Sequence, residues 1–130
     1  MVYTDRLTQK EPSELMANRL EDLIEESRTF TAVSAESAKS YQQQMDALRH
    51  RVDQAIASHP DRERLTGGFP ERGWKDNHRN HAAFLSTVLT LNEYEMLART
   101  LPWVYRSYHA RGFAYDYFAE ELQAWLRAMN

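Results

Sequence analysis

The chain has 130 residues, a formal net charge of −3, 42% hydrophobic and 27% charged residues, and no cysteine. That length is one ordinary domain, long enough to bury a core without a covalent staple. The absent thiol excludes disulfides, iron–sulfur clusters, thiolate zinc sites and cysteine nucleophiles. A mild acidic balance argues against unselective nucleic-acid binding. No apolar run approaches the roughly 18 residues of a membrane span, and the Glu-rich start does not read as a signal peptide. The expectation is a cytoplasmic protein with no membrane partner, laid out as a single domain over residues 1–130.

Apolar residues recur at helical spacing throughout, and no useful stretch alternates with period two, so the chain reads as all-α. Thr8-Gln9-Lys10-Glu11 has capping-box spacing and Pro12 suits a first turn, placing the first helix start near Thr8 or Ser13. Its apolar stripe is Leu15, Met16, Leu20, Leu23 and Ile24, with Phe30 as its extension. Ser34 caps a second helix that Pro60 stops near Ser58, with a heptad-like seam of Ala38, Tyr41, Met45, Leu48, Val52 and Ala55 or Ile56. Residues 60–75 form an irregular segment in which 61–65 can make one helical turn, and Phe69 and Trp74 dock onto the body.

Asp76 or Asn77 caps a third helix running to about Leu89, and Thr90-Leu91-Asn92-Glu93, a second capping-box match, opens a fourth. Pro102 starts a fifth, from Trp103 to about Arg111, and Gly112 closes it. The last helix spans about Ala114 to Met129, with Phe118, Leu122, Trp125, Leu126 and Met129 facing the core. The predicted fold is a single-domain helical bundle or orthogonal array of about six helices.

Chemistry is sparse. His78 and His81, three residues apart, can share one helix face and offer imidazole nitrogen to a metal, with His109 or a carboxylate as a third ligand. Against this, the pair falls in an expected first helical turn, where polar residues serve as caps and the dipole disfavours a cation. The aromatic stretch holding Trp103, Tyr105, Tyr108, His109 and Phe113 suits either a core or a pocket for a flat ligand, with His109 as an axial ligand if that ligand is a tetrapyrrole. From Tyr108-His109 to Gly112-Phe113 the sequence resembles the haem-proximal region of globins, although the chain ends one helix early for that family.

Glu93 with Glu95, and Glu120 with Glu121, read as solvated helix surface. No serine elbow, P-loop or dinucleotide fingerprint occurs. The basic residues between Arg49 and Arg79 are nearly cancelled by interleaved acids, which disfavours direct DNA binding.

The leading functional expectation is a non-catalytic regulatory, sensory or adaptor domain acting through helix-mediated protein–protein contact, as a homodimer. A small-molecule or tetrapyrrole sensor with a pocket in the aromatic C-terminal region is the alternative, and a His-based metal-dependent enzyme the second. Composition and spacing name no cofactor.

Overall fold

A computed structural model describes the backbone of residues 12–130 and the side chains of residues 19–130. Among the described residues there are six helices and no strand: α1 (Pro12–Ser27), α2 (Ala35–Ala57), α3 (Arg62–Thr66), α4 (Glu71–Leu91), α5 (Tyr94–Ala110) and α6 (Tyr117–Met129). The capping box at residues 8–11 and the side chains of Leu15 and Met16 lie outside the described residues.

The second helix follows its sequence signals closely. Ser34, in an extended conformation, accepts the Ser37 N–H on its hydroxyl at 3.0 Å, the bond a Ser N-cap exists to make. Ala38, Leu48, Val52 and Ile56 of the expected seam are buried, with Tyr41, Met45 and Ala55 half-buried beside them. This seam packs between α4 and α6, making α2 the centre of the bundle.

The start of α4 differs from expectation. The α4 helix starts at Glu71, before the predicted Asp76 or Asn77 cap, because Trp74 is drawn into the core at 1% exposure. Gly73 makes that early turn possible: a Cβ there would stand 2.2 Å from the Phe69 ring. The break predicted within Thr90–Glu93 is present, with Asn92 and Glu93 rather than Thr90 between the helices. α4 continues to Leu91, and Asn92 closes it in the left-handed conformation (φ 55°), leaving its side chain for another task.

The fourth and fifth predicted helices are one helix, α5, with Pro102 inside it. An internal proline costs about 3 kcal/mol because it removes one helical bond and crowds the preceding turn. Apolar packing on both sides of the proline outweighs that cost. Tyr108 is buried, and Val104 and Tyr105 pack against the core.

After α5 the chain makes the closure predicted for Gly112. Phe113 N–H donates to Tyr108 O at 3.1 Å and Gly112 N–H to His109 O at 3.0 Å, with Gly112 at φ 103°. Phe113 then packs on Tyr108, ring centroids 5.3 Å apart. This turn abuts the one after α3, where Ala114 N–H donates to Leu65 O at 2.9 Å.

The core has two apolar clusters. Ile56, Leu65, Trp74, Tyr108, Phe113, Tyr117 and Phe118 form one; Leu48, Val52, Ala82, Ala124, Trp125 and Ala128 form the other. α2, α4 and α6 contribute to both, so each runs from one cluster to the other. The last helix corrects its predicted face. Phe118 and Trp125 are buried, whereas Leu122, Leu126 and Met129 are 55%, 57% and 48% exposed.

Candidate functional site

Along each of the three core helices, a polar or charged residue interrupts the apolar face between the two clusters. On α2 the order is Leu48, Arg49, Val52, Asp53, Ile56; on α4 it is Trp74, Asn77, His78, His81, Ala82; on α6 it is Tyr117, Glu121, Ala124, Trp125. Steps of three, four and seven hold these residues on the inward face of each helix. The result is a polar layer in which His78 is 0% exposed, Glu121 3%, Asp53 5% and Arg49 8%.

Two carboxylate–imidazole–phenol chains make up the layer. In the first, His78 Nδ1–H donates to Asp53 Oδ1 at 2.7 Å, and Arg49 donates to the other carboxylate oxygen at 2.9 Å. A proton on Nδ1 leaves Nε2 as an acceptor for the Tyr117 hydroxyl, 2.6 Å away. In the second, His81 Nδ1–H donates to Glu121 Oε2 at 2.9 Å and Nε2 accepts from the Tyr108 hydroxyl at 3.1 Å. Trp125 Nε1–H donates to the same Glu121 oxygen at 3.1 Å. The chains meet where Glu121 Oε1 stands 3.8 Å from His78 Nε2.

Burial raises the Glu121 carboxyl, but the His81 hydrogen bond, the nearby His81 and His78 rings and the Trp125 N–H together hold it below the ordinary carboxylate range. The phenols respond in the opposite sense. Burial, reinforced by the Glu121 charge, pushes Tyr108 up to about 12 and Tyr117 further still. Both therefore stay protonated and act as donors across the neutral range. Within the layer Glu121 Oε1, Asn77 Nδ2 and Arg49 Nε lack a hydrogen-bond partner.

The expected metal pair thus lies in this layer, His78 fully enclosed and His81 with 24% side-chain exposure. Both rings spend both nitrogens on protein partners. Among the described residues, no group of three or more His, Asp and Glu side chains is placed to hold a metal ion. His109, the suggested third ligand, is elsewhere: its Nδ1–H donates to Phe113 O at 3.2 Å and its ring stacks on Tyr115, centroids 3.7 Å apart.

The five aromatic-region residues divide between core and surface. Tyr105 and Tyr108 each pack on Phe118, Phe113 on Tyr108, while Trp103 stands 62% exposed and His109 is exposed. Glu121 corrects the expectation of a solvated surface, since it sits at the centre of the layer. Asp53, Tyr117 and Arg49 were not joined into one site by the sequence. Their signal is a polar residue at a core-face position, which becomes a site only when three such helices converge.

Comparison with protein-family models, with curated proteins and with solved structures returns no match. Among the described residues, no helix is long and apolar enough to cross a membrane.

Proposed function

We propose that the chain is a non-catalytic helical domain that works by protein–protein contact, pairing with a second copy of itself through the outer face of α6. One observation carries this reading: Leu122, Leu126 and Met129 form an exposed apolar ridge on a helix whose opposite face is already in the core. Exposed apolar groups in a contiguous row, rather than scattered singly, mark interaction surfaces.

The ridge is self-complementary. Its members are spaced four and three residues apart, so a two-fold axis near Leu126 sets each Leu122 against the other copy's Met129 in an antiparallel helix pair. The buried layer supports the same reading from the other side. Its carboxylates and rings lie under the surface and engaged with one another, and they fix the rotation at which α6 presents the ridge.

Light scattering during size-exclusion chromatography tests this. The wild-type chain is expected to run as a dimer and Leu126→Glu as a folded monomer with unchanged helical circular dichroism. A wild-type chain that stays monomeric at its highest soluble concentration overturns the proposal.

A further inference from the structure

We propose that the polar layer is a proton-binding site, in which His78 takes up a proton on Nε2 and the uptake fills the bare Glu121 Oε1. The proton reverses one hydrogen bond and links α4 to α6 through the Tyr117 hydroxyl. The inference stands apart from the exposed ridge, since it concerns the inner face of α6 and not the outer one.

Among the described residues, Glu121 Oε1 is the only buried side-chain acceptor without a hydrogen-bond partner. A carboxylate oxygen on a residue 3% exposed has lost its water and gained no donor in exchange. Opposite it, 3.8 Å away, stands His78 Nε2, which accepts from the Tyr117 hydroxyl at 2.6 Å. Two acceptors thus face each other in the core. One proton between them serves both.

Charge calls for the same proton. The groups of the layer are Arg49 and Asp53 from α2, His78 and His81 from α4, and Tyr117 and Glu121 from α6; α5 adds Tyr108, bonded to His81. With both imidazoles neutral, buried Arg49 meets two buried carboxylates, Asp53 and Glu121, which leaves one negative charge over. Asp46, 4.0 Å from Arg49, and His50, 3.5 Å from it, are both exposed and lie within reach of water. One proton brings the layer to neutrality, and an interior that screens poorly favours that balance.

His78 is a better seat for it than His81. A proton on His81 Nε2 would turn round its bond to Tyr108 and leave Glu121 Oε1 as bare as before, because His81 already faces the other carboxylate oxygen. On His78, Nδ1–H keeps its bond to Asp53 and the ring becomes a double donor. Its new Nε2–H points at the Tyr117 oxygen, and that hydroxyl swings its own proton to Glu121 Oε1. Tyr117 and Glu121 stand four residues apart on one face of α6, and the Glu121 charge already acts on the phenol. The proton comes from solvent, and no bond between heavy atoms forms or breaks.

Imidazole nitrogens read out the proton directly. In the wild-type chain labelled with 15N-histidine, NMR distinguishes a bare ring nitrogen from a protonated one. The His78 ring is assigned through its contacts with the Trp74 and Tyr117 rings. It is expected to hold one bare nitrogen at about pH 8.5 and none at about pH 5.5, a span that brackets the ordinary imidazole range. A nitrogen still bare at the lower pH overturns the proposal, as does a proton gained by His81 in its place. Glu121→Gln keeps an oxygen at the position and removes its charge. In that variant His78 should need at least about tenfold more acid to take up its proton. Protonation at an unchanged pH overturns the part given to Glu121. Should the variant not fold, the wild-type titration alone decides.

Discussion

At Glu121 two opposing effects meet, since burial drives the carboxyl toward its neutral form while the His81 bond, the neighbouring rings and the Trp125 N–H hold it charged. The second set wins, so its folded value lies below the ordinary 4.5. A depressed carboxyl contributes stability that is present above that ordinary value and lost as pH falls through the folded one. The unfolding free energy of the wild-type chain should therefore drop as pH falls through and below about 4.5. Glu121→Gln, which cannot ionise, should show a shallower drop in urea titrations over the same range; parallel curves would sink the assignment. The sequence hid this residue behind its neighbour. Glu120 and Glu121 are adjacent, but adjacent helical residues point about 100° apart. Glu120 thus faces outward to His59, 3.1 Å away, while Glu121 faces inward. His78 and His81 were legible as a pair on one helix face because their spacing is helical. Their carboxylate and phenol partners come from other helices, a placement that one helix's periodicity does not encode.

Between elements, two turns approach closely. Gly67, at φ 61°, ends α3, and a Cβ on it would stand 2.0 Å from the carbonyl oxygen of Gly112. Left-handed backbone and a backbone neighbour that cannot rotate away act together here. Gly67→Ala should cost about 2–4 kcal/mol, measured by chemical denaturation, whereas Gly68→Ala meets no atom within 4 Å and carries the positive-φ strain without the clash. Equal losses for the two variants would refute the turn-on-turn contact. Local signals of this kind explain which elements could be read from sequence. Ser34, Gly67 and Gly112 act through their own backbone or side chain, and each does what its residue type implies. Thr90-Leu91-Asn92-Glu93 holds the boundary it predicts, whereas Pro102 failed as one because packing decided it. Asn92 is spent on Val33, and the apolar residues around Pro102 are held by helices distant in sequence.

Across the molecule, one layer ties α2, α4 and α6 together, while α1 rests outside it on α5. These two attachments differ in a way thermodynamic coupling can detect. Asp53 and Glu121 come from different helices but share His78, which is 2.7 Å from Asp53 at Nδ1 and 3.8 Å from Glu121 at Nε2. Replacing Asp53 with Asn alters the hydrogen bond that fixes the ring, and the ring then meets Glu121 differently. The two carboxylates should therefore be non-additive. In a cycle of Asp53→Asn and Glu121→Gln, an interaction energy of roughly 0.5–3 kcal/mol is expected, as for residues in one buried network. Ile24→Ala shares no partner with this network, so its effect should add to that of Asp53→Asn within about 0.5 kcal/mol. Additivity in both cycles would mean that the layer is a set of separate pairs. Coupling in both would mean that a change at Asp53 reaches the α1–α5 contact. Coupling in the first cycle alone is what a polar layer shared by α2, α4 and α6, with Ile24 outside it, must give.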